Sequence, residues 1–315
     1  MHRRTLGRTG LSVSEIGFGA VEIGMEYGIQ VAGQPNQPSR QQAIEIVRTA
    51  LDKGVNVVDT ARGYGASESI IGEAIEDIRD DVVLMSKVSG IDESKTPDEL
   101  TEFLRDSLET SLRELRTDVI DVYQIHSATM NMLAQGHVVE CLRRFREEGK
   151  VRFLGATVYE SDQAIAVIEE GQIDVLQIAF SMLAPGMSQA IIPKAVENGV
   201  AIVARSVLHR GVLTPKGAAG SAEEQRLHQA AKEYTFLFDA ETQSLSHAAL
   251  RFVLSNSDVS CALLGMDNME QVQQNLGYGD IRPFSAEQIE QVLANPPDDP
   301  WSILPVATKG LASKS

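Results

Sequence analysis

The chain has 315 residues, of which 43% are hydrophobic and 23% charged, and its formal net charge is -16. Because nucleic-acid and anionic membrane surfaces are bound by clustered Lys and Arg, this acidic balance argues against both as partners. The length allows two average domains or one large α/β barrel. We expect a single domain over residues 1–315.

Cysteine usage and the first residues indicate a location. The two cysteines, Cys141 in a helical pattern and Cys261 in a strand pattern, favour reduced thiols over a disulfide framework. Residues 1–7 lack the apolar core of a signal peptide, and no run approaches the roughly 18 apolar residues of a membrane span. The expected location is the cytoplasm, without a membrane partner.

The first part of the chain predicts a hairpin, a strand and a long loop. Residues 4–13 alternate around two glycines, which suggests a short hairpin. Residues 14–19 have the pattern of a strand, whose glycines permit close approach of a backbone or a ligand. The segment 25–39, rich in Gly, Gln and Pro, is too long for a simple connector and is expected to be a functional or lid loop.

From residue 39 onwards, helical and strand patterns alternate. Two helix starts carry capping boxes, Ser39 with Gln42 and Thr96 with Glu99, and Pro97 takes the first turn of the second. The predicted helices cover residues 39–53, 67–78, 96 to about 115, 138–148, 161–169, 188–198, 242–255 and 268–276. The strands predicted after the first cover residues 56–59, 82–87, 119–126, 151–157, 175–180, 201–206 and 261–266.

This order gives eight short, apolar strands alternating with eight helices, the pattern of parallel strands buried on both faces. We therefore predict an α/β fold, a (β/α)8 TIM barrel. The hairpin could plug its lower end, and a helix or tail follows at the C-terminus. A doubly wound open sheet is the alternative, but no G-x-G-x-x-G opens a helix here. Two insertions, residues 208–241 and the tail from residue 283, can border the face where the strands end.

Three polar residues end successive predicted strands, and a fourth lies on the loop after the first of them. Asp59, Lys87 and His126 end the second, third and fourth strands, and Tyr64 lies between two glycines on the loop after Asp59. The carboxyl ends of barrel strands form the active-site face, so these side chains are expected together. A Tyr transfers protons at neutral pH when a nearby Lys stabilises its phenolate, and a paired Asp keeps that Lys charged. His126 would supply a neutral hydrogen bond to a carbonyl oxygen.

Together these residues resemble the aldo-keto reductase superfamily, of the bacterial aldo/keto reductase or sugar dehydrogenase type. The resemblance runs in order along nearly the whole chain, through LGRTGL (6–11), GFG (17–19), DTA (59–61), YG (64–65), SE (67–68), SK (86–87), YQIH (123–126), GKVR (149–152) and Asn275. It implies hydride transfer between NAD(P) and the carbonyl or alcohol of a small aldehyde, ketone or sugar, without a metal. It also implies that Tyr64 is the general acid/base and that Lys87 and Asp59 adjust its pKa. His126 would be the residue that orients the carbonyl group.

The resemblance further implies the contacts of the nicotinamide cofactor. Gln177 matches a carboxamide-binding Gln, residues 205–211 resemble the loop that wraps the pyrophosphate, and residues 264–268 match the adenosine end. The expected cofactor-binding residues are Gly19, Ala20, Thr157, Gln177, Arg205, Ser206, Leu208, Arg210, Gly211, Gly265, Asp267, Gln271 and Asn275. Val207 and His209 stand where the family often has Pro and a small residue, so the shape of that loop is expected to differ.

Asp267 bears on the choice between NAD and NADP. The chain lacks the Arg or Lys that many relatives use on a 2′-phosphate, and a carboxylate accepts a hydrogen bond from a ribose hydroxyl but repels that phosphate. NAD(H) is therefore weakly favoured. NADP(H) stays possible, because Arg205, Arg210 or a residue from the loop could supply the positive charge. Asp267 could instead cap the last barrel helix.

Two other functions are alternatives to the reductase. A nucleotide-bound regulatory subunit is possible, since potassium-channel β subunits share the same four residues. A metal-dependent barrel hydrolase is the second, but no His, Cys and carboxylate cluster at zinc spacing favours it. The substrate pocket is expected to be lined by the loops 25–39, 128–136 and 208–241 and by the tail around Trp301.

Overall fold

The computed structural model describes residues 1–33, 37–277 and 282–303. Its strands are β1 (Arg3–Thr5), β2 (Ser12–Ser14), β3 (Ile16–Gly19), β4 (Val57–Asp59), β5 (Val83–Val88), β6 (Ile120–Ile125), β7 (Val151–Thr157), β8 (Val175–Ala179), β9 (Ala201–Arg205) and β10 (Val259–Gly265). Strands β3 to β10 are parallel and form a closed barrel, in which β10 pairs with both β9 and β3. The predicted (β/α)8 barrel is confirmed, and its closure rules out the open sheet.

Helices surround the barrel and connect its strands. They are α1 (Val21–Gly24), α2 (Arg40–Asp52), α3 (Ser67–Ile75), α4 (Pro97–Glu114), α5 (Met130–Gln135), α6 (His137–Glu147), α7 (Ser161–Glu170), α8 (Gly186–Glu197), α9 (Ala222–Ala231), α10 (Leu245–Leu254), α11 (Met269–Leu276) and α12 (Ala286–Ala294). Short 3-10 helices cover Gly7–Thr9, Arg79–Asp81, His209–Gly211, Pro215–Ala219 and Lys232–Leu237. In these described segments, no helix combines the length and the apolar composition that a bilayer crossing requires.

The capping signals of the sequence operate as expected. Ser39 and Thr96 accept hydrogen bonds from the backbone N–H groups three residues later, and both capping boxes are complete. The helix predicted from residue 242 begins later, at Leu245, because Ser244 is the N-cap. Thr242 belongs to the preceding turn, where its N–H donates to Asp239 Oδ1 at 2.7 Å.

The N-terminal hairpin closes the lower end of the barrel, as predicted. Leu6 and Val13 are fully buried and pack against inward-facing strand residues, including Val57 and Val203. Gly7 has φ +49°, and a Cβ there would lie 2.6 Å from the backbone nitrogen of Ala201. The hairpin therefore contacts the start of β9 closely, at the face opposite the carboxyl ends of the strands.

Candidate active site

An ion pair between two neighbouring strands lies at the carboxyl end of the barrel. Lys87 Nζ on β5 is 2.6 Å from Asp59 Oδ2 at the end of β4, and it also donates to the Thr60 carbonyl oxygen at 2.8 Å. The other oxygen of Asp59, Oδ1, accepts from Gln124 Nε2 at 3.1 Å and from Gln177 Nε2 at 2.9 Å. Asp59 is thus held by side chains from three other strands.

Tyr64 and His126 lie next to this ion pair. Their rings meet edge to face, with 5.6 Å between centroids and an interplanar angle of 83°. Lys87 Nζ is 4.9 Å from the centroid of the Tyr64 ring. The three predicted strand-end residues and Tyr64 are therefore together, on β4, the loop that follows it, β5 and the residue directly after β6.

The pKa of Tyr64 differs from the value expected when its phenolate is stabilised by Lys87. Burial raises the pKa of the Tyr64 phenol well above its usual range, and the Asp59 carboxylate raises it further. Burial also lowers the pKa of Lys87, although Asp59 opposes that effect. Because Asp59 compensates the charge of Lys87, Lys87 does not lower the pKa of the Tyr64 phenol as expected. The phenol keeps its proton at neutral pH.

His126 is a neutral imidazole in this environment. Burial lowers the pKa of His126 to about 3, with smaller contributions from the charges of Lys87 and Arg205. Its Nδ1 lies 2.7 Å from Ser89 Oγ, so Nε2 is the ring nitrogen left for a substrate. Ser89 was missed in the sequence, although it follows β5 directly and the strand-end argument applies to it as well.

A groove of about 530 Å³ extends from Tyr64 and His126 to the turn after β10. Its wall contains most of the expected cofactor-binding residues, namely Gly19, Ala20, Gln177, Arg205, Ser206, Leu208, Arg210, Gly211, Gly265, Asp267, Gln271 and Asn275. Thr157 is the exception: it is buried, it does not line the groove, and its Oγ1 accepts from the Ser127 backbone N–H at 2.8 Å. Thr157 thus holds the backbone after β6, and its contact with the cofactor stays a prediction.

The groove has a composition that fits a nicotinamide dinucleotide. Gly19 and Gly265 are neighbours on β3 and β10, and the absence of a side chain at Gly265 leaves room for the Glu22 carboxylate. Arg210 Nε is buried without a hydrogen-bond partner, and its guanidinium lies 4.9 Å from the centroid of the Tyr27 ring. An unpartnered buried guanidinium nitrogen is a donor for an anion such as a pyrophosphate. Glu22, which also lines the groove, was missed in the sequence.

Asp267 is engaged by neighbouring side chains. Its Oδ2 lies 2.7 Å from Lys216 Nζ, and its Oδ1 accepts from Gln271 Nε2 and Asn268 Nδ2, both at 2.7 Å. The N-cap of α11 is Asn268, whose side chain accepts from the Gln271 N–H. The interpretation of Asp267 as a helix cap is therefore wrong. Lys216 is a loop residue of the kind expected to supply a positive charge.

A second cavity, of about 420 Å³, lies beyond Arg205 and Tyr159, which line both cavities. The Arg205 guanidinium lies 4.6 Å from the centroid of the Tyr159 ring. Trp301 lines this side cavity and stacks on His209, with 4.6 Å between centroids, and His209 Nε2 is 2.6 Å from the Pro300 carbonyl oxygen.

The loops expected around a substrate are divided between the two cavities. Tyr27 to Ile29 of the predicted lid loop and part of the insertion 208–241 line the groove. Residues 34–36 of that loop lie outside the residues that the structure describes. The tail around Trp301 lines the side cavity. Residues 128–136 line neither of these two cavities, and their contact with a substrate stays a prediction. Among the described residues, no group of three His, Cys, Asp or Glu side chains is placed to hold a metal.

The sequence is similar to characterised proteins along most of its length. A sequence model of the Aldo/keto reductase family matches residues 15–294. The L-galactose dehydrogenase of Arabidopsis thaliana is 27% identical over 285 residues, covering 87% of this chain and 86% of that protein. The NADH-specific methylglyoxal reductase of Escherichia coli is 28% identical over 321 residues, covering 91% and 96%.

Solved structures share the fold. The holo form of aldo-keto reductase AKR11C1 from Bacillus halodurans has a TM-score of 0.77 at 24% identity, covering 93% of this chain and 96% of that one. An aldo/keto reductase from Klebsiella pneumoniae, in complex with NADP and acetate, has a TM-score of 0.71 at 23% identity, covering 95% and 97%. The family match spans most of the barrel, and the chain therefore belongs to the aldo/keto reductases, a family of oxidoreductases that use NAD(P)H.

Proposed function

We propose that the chain is an NAD(P)H-dependent reductase of small aldehydes, ketones or sugars, in which Tyr64 donates a proton to the carbonyl oxygen. The observation that carries this proposal is the edge-to-face contact of Tyr64 and His126, with 5.6 Å between ring centroids, at the end of the groove. Two neutral hydrogen-bond donors side by side suit one carbonyl oxygen, because they polarise it without a competing charge.

The chemistry divides between the cofactor and the chain. A bound nicotinamide would supply the hydride that reaches the carbonyl carbon. Tyr64 supplies the proton that reaches the carbonyl oxygen, and His126 Nε2–H orients that oxygen. The raised pKa of Tyr64 keeps the phenol protonated beforehand. Lys87 commits two N–H groups to Asp59 and Thr60, which leaves a third for the phenolate oxygen after transfer.

For the cofactor, we propose that NAD(H) is used at least as well as NADP(H). Arg210 and the glycines that end β3 and β10 would hold the dinucleotide, while Asp267 would lie near the adenosine end. Lys216 offsets the Asp267 charge at 2.7 Å, so the repulsion of a 2′-phosphate is moderate. The relatives do not decide between the two cofactors. The Escherichia coli methylglyoxal reductase is named NADH-specific, whereas the Klebsiella pneumoniae enzyme is in complex with NADP.

The test is nucleotide binding followed by turnover. NADH and NADPH are titrated by fluorescence, and a panel of aldehydes, ketones and sugars is then assayed. Tyr64→Phe is expected to lower kcat about 10²-fold or more while nucleotide still binds. Tyr123→Phe is the matched control, because it removes a phenol that faces Ser107 at 3.3 Å, away from the groove.

Each outcome separates the candidate functions. Retained activity in Tyr64→Phe would remove the catalytic assignment. Nucleotide binding without turnover on any carbonyl compound would support a regulatory subunit, as in potassium-channel β subunits.

We also propose one domain over residues 1–315 and a cytoplasmic location, the latter supported by the buried free thiols of Cys141 and Cys261.

A further inference from the structure

Glu22 occupies the floor of the groove. It lies on α1, directly after β3, and a Cβ on Gly265 would overlap its carboxylate. Gly265 ends β10 and pairs with Gly19 on β3. The Glu22 carboxylate therefore packs against the backbone of Gly265, where β3 and β10 carry two of the expected nucleotide-binding residues.

The Glu22 carboxylate is poorly stabilised in its charged form. Its Oε2 is shielded from solvent and has no hydrogen-bond partner among the residues that the structure describes. A buried anionic oxygen without a partner is costly, so protonation is favoured. Burial accordingly raises the pKa of Glu22 to about 7, Asp267 adds to this effect, and the N–H of Glu22, Lys216 and Arg210 oppose it.

The charged groups that face Glu22 come from the turn after β10 and from the loop after β9. Asp267 and Lys216 pair with each other at 2.7 Å, and the Arg210 guanidinium lies over Tyr27. The net charge of Glu22, Asp267, Lys216 and Arg210 is zero when Glu22 is ionised. It is plus one when Glu22 is protonated. The phenols nearby are those of Tyr27 and Tyr64, whose pKa values are raised mainly by their own burial, so both are neutral below pH 9.

A dinucleotide bound in this groove would bring the two negative charges of its pyrophosphate. Negative charge nearby raises the cost of an ionised carboxylate, and it does so most where water is excluded. A protonated carboxyl group offers an O–H donor in place of a repelling anion. The nucleotide and the proton therefore favour each other's binding.

We propose that Glu22 binds the dinucleotide in its protonated form, so that the protein takes up one proton when NAD(P)(H) enters the groove. This rests on the proposed function for the identity of the nucleotide. It assigns Glu22 as a binding residue that acts before any chemical step.

The dissociation constant of NADH, measured from its fluorescence between about pH 6 and pH 9, tests this. In the wild type, it is expected to rise about tenfold for each pH unit above pH 7, because the free enzyme then loses a proton that the complex keeps. Calorimetry in two buffers of different ionisation enthalpy should show uptake of about one proton per NADH near pH 8. Glu22→Gln should show neither effect and should bind NADH at high pH about as tightly as the wild type does at pH 6.

Glu270→Gln is the matched control, because Glu270 is an exposed carboxylate on the same groove and the charge change is identical. This variant should keep the pH dependence of the wild type. A wild-type constant that does not change with pH, or a Glu22→Gln variant that retains the proton uptake, would overturn the proposal while leaving the reductase function intact. Failure of the wild type to bind either nucleotide would contradict both.

Discussion

Lys87 and Asp59 form a buried ion pair at the carboxyl end of the barrel, 2.6 Å between Nζ and Oδ2, with side-chain exposures of 0% and 5%. The pair joins β4 to β5, and Gln124 and Gln177 extend it to β6 and β8. Removal of one member leaves the other as an uncompensated buried charge. Stability and catalysis at this site are therefore coupled, and experiments must separate them.

Lys87→Met is expected to slow turnover and to raise the apparent pKa of the catalytic group, because the Asp59 carboxylate, left without Lys87, disfavours the phenolate of Tyr64 more strongly. It should also lower the free energy of unfolding by about 3–5 kcal/mol, because Asp59 stays buried without a partner. The double variant Lys87→Met with Asp59→Asn should recover stability but not activity. Thermal unfolding and a pH–rate profile measure the two effects. A near-normal rate with an unshifted profile would make Lys87 an ordinary strand-end lysine.

His126 is expected to stay neutral throughout the working pH range. With its pKa at about 3, it gains a proton only in strong acid, so no step near pH 6.5 should come from it. Ser89→Ala should lower kcat/KM about tenfold, because the hydroxyl 2.7 Å from Nδ1 fixes the ring and its tautomer. A loss of activity near pH 6.5 that disappears in His126→Asn would contradict the neutral imidazole.

The barrel, the three strand-end residues and Tyr64 could be predicted because they depend on local patterns. Apolar runs, capping boxes and the residue that ends each strand are visible in the sequence, and parallel closure brings those ends together. Contacts between distant segments leave no such pattern. Lys216 pairs with Asp267 across 51 positions. Thr157 accepts from the backbone N–H of Ser127, whose φ of +67° leaves no sign in the sequence.

The Lys216 and Asp267 pair predicts opposite shifts in nucleotide preference. Asp267→Ser removes a carboxylate that repels a 2′-phosphate and frees Lys216, so the preference should move toward NADP(H), by about tenfold for a charge change of this kind. Lys216→Met should move it toward NAD(H). The ratio of kcat/KM for NADPH and NADH measures both. If wild type binds NADPH a hundredfold more tightly than NADH, Asp267 has no part in the choice.

The contact of His209 with the tail predicts loss of stability in acid. The pKa of His209 is lowered to about 4 by burial, while an unfolded His titrates near 6.5. Between these values the unfolded chain binds more protons, so stability is complete above about pH 6.5 and falls as the pH drops toward 4, by about 3 kcal/mol from this group. Thermal unfolding from pH 7 to pH 4 should be less pH-dependent in His209→Asn.

The His209→Asn variant can also be followed by tryptophan fluorescence. Trp301 is the single tryptophan of the chain, and it stacks on His209. Loss of the ring should expose the indole and shift its emission to longer wavelength at pH 7. Unchanged emission would show that other contacts hold the tail, such as the bond from Tyr234 Oη to the Asn295 carbonyl at 2.7 Å.

The hairpin that closes the lower end of the barrel places the amino terminus at the far side of the molecule from the groove. Arg4 donates to the backbone carbonyl of Val259 at the start of β10, and Arg8 donates to that of Ile173, just before β8. An affinity tag or surface linker attached before Met1 would therefore leave both cavities facing solution. Because Trp301 lines the side cavity, immobilisation through the amino end is the orientation suited to binding measurements.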